Sequence, residues 1–474
     1  MQVRVIGLGY VGLVTAACLA EWDHRVVGIE TNESRLDALK RGDVPFFEPG
    51  LAEMVARHSA AGRLDFRPHA SDAMADADIV FVAVGTHDGN GGWQTETMLA
   101  CLSQIVPEMS DDAVLVIRST LPPDFIRQLP HLLRSLREQA GRAPIGALVN
   151  PEFTREGAAV HDFLEADRIV IGEIDDPDGR ATTRLEALYA AAEAPILKMS
   201  AIDAAFSKLG ANLFLATKIS FANELATLCD AYGARIDQVV AAMSYDGRIG
   251  GRFLHAGVGF GGSCLPHQVT MTVKSAALAG IPSPLLAAVD DINHRQRIDF
   301  VARIREMLGG SLEGRRVALL GLTFKPNTDD LRDAPALDIA THLLASGASV
   351  VAYDPMETAR ERSAAAVPGL EVVASAIEAI DRADAIGLVT EWQEFRELDW
   401  KIARAVAAGN VVVDGRGALD PDAVTNAGFA YAAFGRGVLG EAVASEMLDV
   451  DTWQPVGVRS RNIPIESAQS LRVE

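Results

Sequence analysis

The sequence predicts an α/β protein in which two Rossmann-like, doubly wound domains are joined by a long central helix and a helical domain. Three observations lead to this fold class. Strand-like apolar runs alternate with helical patterns over residues 1–199, an alanine- and leucine-rich helical stretch follows, and a second alternating series begins near residue 313. Such alternation favours parallel sheets that are covered by helices on both faces.

Each predicted domain rests on its own series of elements. In residues 1–199, the segment MQVRVIGLGYVG predicts a strand and a helix, and VVGIE, IVFVAVG, AVLVIRST and RIVIG predict further strands. Residues 200–308 are expected to be mainly helical, with Gly233 ending the first long helix. In residues 313–449, strands are predicted at RRVALLGLTF, VVAYDP, AIGLVTEW and NVVVDGRG. Residues 451–474 have no periodicity and are expected to be a loosely ordered tail.

The composition indicates a globular protein of two or three domains. Its 474 residues exceed what one hydrophobic core usually supports, and 49% of them are hydrophobic and 23% charged. The formal net charge of −21 repels a polyanion, and no basic block offsets that charge, so nucleic acid is not an expected partner. A small phosphorylated substrate remains possible, because a few focused positive charges suffice to bind it.

Neither a membrane partner nor a disulfide framework is expected. The apolar stretch from Val5 to Ala20 lacks a basic leader and carries three glycines, which indicates a buried strand and helix rather than a signal peptide or a membrane span. Four cysteines without a CxxC pair favour free thiols and a cytoplasmic location. No metal site is expected.

The first strand–turn–helix carries a dinucleotide-binding pattern. Gly7, Gly9 and Gly12 form GxGxxG, where backbone amides and a helix N-terminus can meet a pyrophosphate. Glu30 ends the next strand, where a carboxylate would bind the ribose hydroxyls of NAD and repel a 2′-phosphate. The alternatives are that the glycines only permit tight packing, or that Arg35 allows NADP. We favour NAD.

The second α/β series opens with GLTFK instead of a glycine triad. It therefore has the sheet architecture without the phosphate fingerprint. We expect this domain to hold the nucleotide end of a substrate, with Lys325 supplying positive charge.

One cysteine differs from the other three. Cys18, Cys101 and Cys229 lie among apolar residues at helical spacing, which predicts core packing. Cys264 follows GVGFGGS, whose glycines let the backbone bend sharply and bring a ligand close to the thiol. A plain turn is the alternative.

Two further motifs supply polar groups. Lys208 and Asn212 are four residues apart, so they project from one face of a predicted helix and could stabilise a thiolate or an oxyanion. Glu152 and Glu156, in NPEFTREG, follow a predicted strand, where doubly wound folds carry catalytic loops. The alternatives are a lysine lying along the helix surface and paired surface carboxylates.

Taken together, these motifs resemble the UDP-glucose dehydrogenase family, within the wider UDP-glucose and GDP-mannose dehydrogenase group. The resemblance rests on GLGYVG, RST at 118–120, NPEFTREG, KLGAN, DGRIG, GGRFLHAGVGFGGSC and GLTFKPNTDDLRDAP, which occur in the family's order up to about Gly417. The stretch NPEFTREGAAVHDFLEADRIVIGE is closest to the UDP-glucose branch.

The resemblance implies an NAD-dependent four-electron oxidation of UDP-glucose to UDP-glucuronate. Cys264 would attack the C6 aldehyde from a first hydride transfer, the thiohemiacetal would give a second hydride, and the resulting thioester would be hydrolysed. It also implies a homodimer or larger assembly, in which the central helix pairs with its twin and Arg248 reaches the neighbouring subunit. The process served would be nucleotide-sugar metabolism and polysaccharide biosynthesis.

The resemblance carries specific roles onto residues of this chain. It implies that Cys264, Lys208, Asn212, Thr120 and Glu156 are catalytic; that Gly7, Gly9, Tyr10, Val11, Gly12, Glu30, Arg35, Thr86, Thr120, Glu156 and Arg332 bind the cofactor; and that Glu152, Phe153, Lys208, Asn212, Arg248, Phe253, Gly261, Phe324, Lys325 and Arg416 bind substrate.

The sequence departs from the family pattern at three places. After the cysteine the family has Lys-Asp, whereas this chain has His267 and Gln268. A glutamine cannot accept a proton near neutral pH, but a histidine can. We hypothesise that Gln268 slows thioester hydrolysis or changes the sugar accepted, without preventing binding. Equal turnover and equal thioester accumulation in wild type and Gln268→Asp would exclude this. The other departures are the absence of a proline after Thr86, and Ala205 in place of a common glutamate.

Three alternative functions stay open at this point. The chain could be a dehydrogenase for a different nucleotide sugar. A two-domain hydroxyacid dehydrogenase would explain GxGxxG, Lys208 and Asn212, but it leaves Cys264 and the second α/β domain unexplained. A nucleotide-sugar-binding paralogue with impaired turnover would explain the changes at His267 and Gln268.

Overall fold

The structure is a computed structural model that describes residues 1–70, 74–86 and 92–439. The predicted tail at 451–474, the last part of the predicted C-terminal domain at 440–449 and the loop residues just after Thr86 lie outside these ranges. Two sheets with helices packed against them, and four central helices between them in the chain, make up the fold. The predicted α/β fold class with two Rossmann-like units and a long central helix is confirmed.

The N-terminal sheet has eight strands in the order β3-β2-β1-β4-β5-β6-β7-β8. Its strands are β1 (Gln2–Ile6), β2 (Arg25–Ile29), β3 (Leu64–Arg67), β4 (Ile79–Val82), β5 (Val114–Ile117), β6 (Gly146–Val149), β7 (Ile169–Asp175) and β8 (Ile196–Ser200). Its helices are α1 (Tyr10–Glu21), α2 (Glu33–Arg41), α3 (Leu51–Ala60), α4 (Glu96–Ile105), α5 (Pro123–Gln139), α6 (Ala159–Leu164) and α7 (Arg180–Leu188).

Two strands of this sheet run against the direction that we predicted. The strands from β1 to β6 are parallel, but β7 pairs antiparallel with β6, and β8 is parallel to β7. The connection between them carries only the short α6, which packs against α1, and it does not return the chain to the opposite end of the sheet. The run RIVIG is therefore a strand, as predicted, but it runs opposite to the strands from β1 to β6.

The first turn is shaped by its glycines. Gly7 has a φ of +86°, in the left-handed region that favours glycine. A Cβ on Gly12 would lie 1.8 Å from the Gly7 carbonyl oxygen, so α1 can start this close to β1 only with glycine at that position. The N-terminus of α1 consequently opens at the carboxyl end of β1.

The central helices are α8 (Ala201–Tyr232), α9 (Ile236–Ser244), α10 (Leu265–Leu278) and α11 (Pro284–Met307). The Ser200 side chain caps α8 by accepting a hydrogen bond from the Asp203 amide. Gly233, at a φ of +69°, ends this helix, as predicted. Both α10 and α11 pack against α8. This packing fixes the position of the N-terminus of α10, where Cys264 lies.

The C-terminal sheet has seven strands in the order β11-β10-β9-β12-β13-β14-β15. Its strands are β9 (Arg316–Leu320), β10 (Ser349–Tyr353), β11 (Glu371–Val372), β12 (Ala385–Leu388), β13 (Val411–Asp414), β14 (Ala430–Ala433) and β15 (Gly437–Leu439). Its helices are α12 (Pro335–Ala345), α13 (Glu357–Ala366), α14 (Ala376–Ile380), α15 (Gln393–Arg396), α16 (Trp400–Val406) and α17 (Pro421–Asn426). Only β15 is antiparallel to its neighbour among the strands of this sheet that the structure describes.

The interior of each sheet layer is apolar. β1, β4, β5, β9, β12 and β13 are buried over nearly their whole length, as expected for strands that helices cover on both faces. Cys18 and Cys229 are buried, as predicted, whereas Cys101 is half-buried. Across the ranges that the structure describes, no helix combines the length and apolar content needed to cross a bilayer.

Candidate active site

Cys264 ends a glycine-rich segment, residues 257–264, that we call the cysteine loop, and it is the N-terminal cap residue of α10. Its side chain is accessible to solvent, but many protein atoms surround the sulfur. Because this crowding removes much of the surrounding water, the pKa of the thiol is raised, although the Lys208 ammonium opposes the effect. The partial positive charge at the N-terminus of α10 also favours the thiolate.

The glycines of the cysteine loop allow another segment to lie directly on it. This segment, residues 321–334, connects β9 to α12, and we call it the bridging loop. A Cβ on Gly261 would lie 2.3 Å from the Asp333 carbonyl oxygen, and one on Gly262 would lie 2.8 Å from the Phe324 ring. The Gly262 amide donates to the Arg332 carbonyl at 2.9 Å. The C-terminal domain thus brings polar residues to the cysteine.

Two buried asparagines hold the cysteine loop in place. The Asn293 side chain accepts from the Phe260 amide at 2.7 Å and donates to the Phe260 carbonyl at 3.0 Å. The Asn223 side chain accepts from the Gly257 amide at 2.7 Å. Our sequence reasoning missed both residues. A polar amide inside a long apolar helical pattern was the available signal, because such a group must find a partner when it is buried.

A buried ion pair lies beside the thiol. Lys208 of α8 and Glu152, which follows β6, are 2.9 Å apart, and both side chains are at most 10% exposed. Burial alone raises the pKa of Glu152, but the Lys208 ammonium and the hydrogen bonds from Thr154 outweigh it, so the pKa lies below its usual value. Lys208 is therefore not a surface lysine, and Glu152 and Glu156 are not a pair of surface carboxylates.

Asn212 and Gln268 connect α8 to the first turn of α10. The Asn212 amide donates to the Gln268 side-chain oxygen at 3.0 Å, and both residues are buried. The ring of the preceding residue, His267, lies 3.6 Å from the Asp333 carboxylate of the bridging loop. The two residues that depart from the family pattern therefore both lie in the site.

Glu156 is at the centre of a second polar cluster. One of its carboxylate oxygens accepts from the Ser263 hydroxyl at 3.2 Å and from the Arg332 guanidinium at 3.1 Å. The other oxygen is buried without a hydrogen-bond partner within the described parts of the chain. Burial and the nearby Asp330 carboxylate raise the pKa of Glu156 to about 7, although Arg332 opposes them.

The Arg332 guanidinium also donates hydrogen bonds to both oxygens of the Asp330 carboxylate, at distances from 2.6 to 3.0 Å. Burial raises the pKa of Asp330, but the hydrogen bonds and charge of Arg332 outweigh it, so the pKa is lowered. Glu156 and Asp330 are thus two neighbouring carboxylates of which Glu156 retains a proton more readily.

The loop that carries Glu156 is anchored by a residue that the sequence reasoning missed. Glu48 is buried and accepts hydrogen bonds from the Gly157 and Ala159 amides, each at 2.6 Å. The Tyr10 hydroxyl also donates to Glu48. Burial and the Glu48 charge raise the pKa of Tyr10, which stays a donor. A carboxylate in the run FFEPG, far from either motif, gave no signal of its own.

A cleft of about 310 Å³ lies between the two α/β units, next to Glu156. Its lining includes Gly9, Tyr10, Arg35 and Arg332, which we had predicted to contact a dinucleotide. The bridging loop and α13 form its other wall. The arrangement fits a dinucleotide because Gly9 precedes α1, whose N-terminal amides are available to a phosphate.

The acidic residue at the end of β2 is oriented by the backbone. Glu30 is buried, and its carboxylate accepts from the Leu8 amide at 3.2 Å and the Asn32 amide at 2.8 Å. The Arg35 guanidinium pairs with Glu30 at 3.1 Å, so it is engaged by a carboxylate and not free for a 2′-phosphate. This pairing supports NAD rather than NADP.

Of the remaining predicted cofactor residues, Thr86 and Thr120 lie in the turns after β4 and β5. The Thr86 hydroxyl donates to the Thr120 carbonyl at 2.8 Å, which joins these two turns. Val11 lies in the first turn of α1. Arg118, in the RST motif, is buried and donates hydrogen bonds to Thr15 of α1 and to Asn150, which follows β6. Its guanidinium therefore connects parts of the N-terminal domain and does not face a ligand.

The predicted substrate residues fall into two groups. Phe324 and Lys325 lie at the cysteine loop, and burial lowers the pKa of Lys325 against the effect of Glu156. The Phe153 ring is close to two cations, because Arg168 Cζ lies 3.8 Å and Lys208 Nζ 5.5 Å from its centroid.

The other predicted substrate residues lie in different settings. Arg416 donates to the Gly259 and Val389 carbonyls at 2.9 and 2.7 Å, so it braces the cysteine loop. Arg248 is 89% exposed and pairs with Asp246, at a distance of 2.6 Å. Phe253 has a positive φ of 65°, which is uncommon for a residue with a side chain. Their contacts with substrate stay predictions.

Family models match most of the chain in three consecutive segments. The UDP-glucose/GDP-mannose dehydrogenase family, NAD binding domain, matches residues 1–193. The central domain of the same family matches residues 203–295, and its UDP binding domain matches residues 318–421.

Individual proteins of known function are similar over nearly their full length. The chain is 39% identical over 443 residues to the UDP-glucose 6-dehydrogenase of Rhizobium meliloti (strain 1021), covering 92% of this chain and 100% of that protein. It is also 39% identical over 451 residues to the UDP-glucose 6-dehydrogenase of Pseudomonas aeruginosa, covering 94% and 100%. A solved UDP-glucose dehydrogenase structure from Pyrobaculum islandicum matches with a TM-score of 0.80 at 37% identity, covering 88% of this chain and 94% of that chain.

Proposed function

This chain belongs to the UDP-glucose/GDP-mannose dehydrogenase family, and on that premise we propose that it oxidises UDP-glucose to UDP-glucuronate with NAD, through a covalent intermediate on Cys264. The observation that carries the proposal is the placement of the cysteine. Its thiol lies at the N-terminus of α10, beside the buried Lys208–Glu152 pair, and Ser263 connects it to Glu156, which lines the cleft. A packing cysteine needs none of these neighbours.

The reaction balances as a four-electron oxidation. The CH2OH group at C6 and one water become a carboxylate, two NAD are reduced to two NADH, and three protons are released. Bound NAD accepts a hydride in each oxidation. The thiol holds the aldehyde as a thiohemiacetal between the two oxidations, and the second oxidation converts this adduct to a thioester that water hydrolyses.

The residues at the cleft fit an NAD molecule. Gly7, Gly9 and Gly12 let α1 begin close to β1, so its N-terminal amides can bind the pyrophosphate. Glu30 would accept hydrogen bonds from the ribose hydroxyls, because its carboxylate is fixed at the end of β2. Arg332 would face the cofactor from the opposite wall of the cleft.

Lys208 and Asn212 would stabilise the oxygen at C6 when it carries negative charge. The Lys208 ammonium is near enough to Cys264 that its charge lowers the pKa of the thiol. Asn212 uses one amide hydrogen for Gln268, and the second remains for a substrate oxygen. Donors that are fixed before the reaction stabilise such charge most effectively.

Glu156 would act in thioester hydrolysis, together with Thr120. Gln268 cannot accept a proton, so the water that attacks the thioester needs another base. Glu156 is close to the thiol through Ser263 and titrates near neutrality, which is suitable for a group that takes and returns protons.

A homodimer belongs to the same proposal. Phe206, Phe214, Phe221 and Leu228 are exposed along α8 at spacings of seven or eight residues, which places them on one helix face. An apolar stripe of this length favours burial against a second copy of α8. Light scattering of the purified chain should give the mass of a dimer or a larger assembly, and the mass of a single chain would contradict this part.

The test of the proposed function is a product ratio. We expect two NADH for each UDP-glucuronate formed from UDP-glucose, measured by absorbance and chromatography. Cys264→Ser should lower formation of the acid by at least about 1000-fold, because the nucleophile is removed. Cys101→Ser is the matched control and should leave turnover unchanged, since this thiol is half-buried among apolar residues of the N-terminal domain.

Other outcomes would favour the alternatives. Full conversion to the acid by Cys264→Ser would exclude the covalent mechanism. UDP-N-acetylmannosamine or GDP-mannose as the better substrate would identify a dehydrogenase for a different nucleotide sugar. Binding of UDP-glucose and NAD without any reduction would identify a binding paralogue.

A further inference from the structure

We propose that Ser263 is a catalytic residue whose hydroxyl passes the proton of the Cys264 thiol to Glu156, so that Glu156 is the base that generates the nucleophile. This inference rests on the proposed function and adds a route for a proton that the mechanism must remove. The residues come from the cysteine loop and from the segment after β6, which are far apart in the sequence.

The geometry forms a continuous path from sulfur to carboxylate. The Ser263 oxygen lies 3.7 Å from the Cys264 sulfur, within hydrogen-bond distance for sulfur. The same hydroxyl donates to Glu156 at 3.2 Å. A hydroxyl can accept one hydrogen bond and donate another at the same time, which is what a proton relay requires.

The other charged groups that act on the thiol are poorly suited as the base. Lys208, Lys325 and Arg332 are the cations that interact with the sulfur, and a cation cannot take a proton. Glu152 is the second carboxylate near Cys264, but it is held in an ion pair that favours its charged form. On α10, the family's carboxylate position is occupied by Gln268.

Glu156 is prepared to receive a proton. One of its oxygens is buried without a hydrogen-bond partner in the described parts of the chain, so its charged form is incompletely stabilised. Burial and the Asp330 carboxylate raise the pKa of Glu156 to about 7. Near neutral pH the residue is therefore ionised in part of the molecules and can accept a proton at small cost.

The transfer conserves atoms and charge. The S–H bond of Cys264 breaks as its proton moves to the Ser263 oxygen, and the original Ser263 proton moves to Glu156. A thiolate, a neutral serine and a glutamic acid result. The single negative charge has moved from the carboxylate to the sulfur, where Lys208 and the N-terminus of α10 stabilise it.

The test is the pH dependence of Cys264 alkylation by iodoacetamide, in the full-length chain without substrate, with labelling of Cys264 followed by mass spectrometry. In wild type the logarithm of the rate should rise to about pH 7, level off, and rise again, because Glu156 and the thiol compete for one negative charge. Glu156→Gln should remove the level region and leave a single ionisation.

Ser263→Ala should slow alkylation at pH 7 by about tenfold, because the thiolate loses a hydrogen bond. Ser263→Thr keeps the hydroxyl and should restore the rate to within about twofold. Ser346→Ala is a matched control at an exposed helix end and should alkylate as wild type does. Circular dichroism establishes whether each variant is folded.

The relay is excluded if Ser263→Ala has the wild-type alkylation profile, or if Glu156→Gln retains the level region. Equal loss in Ser263→Ala and Ser263→Thr would also overturn it, because packing rather than the hydroxyl would then be responsible. Alkylation needs no sugar and no turnover. A failure here with two NADH per acid would therefore remove the relay and leave the proposed function intact.

Discussion

The two α/β units share a strand order but differ in the segment after their first strand. In the N-terminal sheet, α1 begins four residues after β1, and the intervening turn has glycine at positions 7 and 9. In the C-terminal sheet, the bridging loop of residues 321–334 separates β9 from α12. A helix N-terminus next to the sheet edge suits a phosphate, whereas a long loop can reach a neighbouring domain. The same sheet topology thus supports two different contributions to one site.

The acidic residue after the second strand also differs in its surroundings between the two units. Glu30 follows β2 and Asp354 follows β10, and each accepts an amide of the turn after the first strand. Asp354, however, is completely buried and also accepts from Thr323, Trp392 and Met356, so its carboxylate is satisfied within the protein. Glu30 has a partner, Arg35, that lines the cleft. An acidic residue at this position is therefore not sufficient to indicate a dinucleotide.

The largest expected effect comes from adding a methyl group to the first turn of each unit. Gly12→Ala should lower kcat/KM for NAD by about 100-fold, because the new Cβ meets the Gly7 carbonyl and α1 must move. Gly321→Ala should instead lower Tm with little change in KM for NAD. Gly321 has a φ of +92°, and a Cβ there would lie 2.4 Å from the Thr390 side chain. Steady-state kinetics and thermal melts measure both quantities.

The proposed difference between the first turns of the two units would be wrong if Gly12→Ala and Gly321→Ala had the same effects on NAD kinetics and on Tm. Loss of NAD affinity in Gly321→Ala, with an unchanged Tm, would mean that the C-terminal turn also serves the cofactor. An unchanged KM in Gly12→Ala would mean that the close start of α1 is not needed for binding. Gly9→Ala separates two causes, because a Cβ at that position meets no protein atom within 4 Å, so a loss of NAD affinity there would come from the approach of the pyrophosphate and not from a shift of α1.

A smaller effect is expected when the two acidic residues are made neutral. Asp354→Asn should reduce the free energy of unfolding by about 2 kcal/mol, because an amide NH2 would face N–H donors in a dry interior. Its KM for NAD should stay within about twofold of wild type. Glu30→Gln should do the reverse, raising KM for NAD and weakening the preference over NADP. Equal losses of stability, measured by urea unfolding, would contradict the distinction.

The sequence alone could predict the parts of this molecule that local pattern determines. The strand–turn–helix at Gly7, the end of α8 at Gly233 and the shared face of Lys208 and Asn212 all follow from local spacing, and the structure has each of them. The direction of β7 could not be predicted, because it depends on where the connecting chain returns. The proposed domain boundaries remain predictions.

Contacts between segments that are far apart in the chain could also not be predicted from the sequence. Arg332 binds Glu156, which is 176 residues away, and only tertiary packing sets this pair. The family resemblance implied that Arg332 binds the cofactor. It did not indicate that Asp330 lies beside Glu156 or that the Ser263 hydroxyl donates to Glu156. Glu48 was missed for the same reason, since it supports the Glu156 loop from more than a hundred residues away.

The smallest expected effect concerns the carboxylate that the bridging loop places beside Glu156. Both burial and the Asp330 charge raise the pKa of Glu156, so Asp330→Asn should lower this pKa. Arg332 would then be freer to pair with Glu156, which acts in the same direction. Because Glu156 must be ionised to accept a proton, the acidic limb of the kcat/KM profile should move to lower pH by at least about half a unit.

Asp329→Asn is the matched control. The Asp329 carboxylate accepts hydrogen bonds from the Phe47 amide and the Thr358 hydroxyl, so the acidic limb should stay in place in this variant. A limb that moves equally in both variants, or to higher pH in Asp330→Asn, would show that the bridging loop does not set the proton affinity of Glu156.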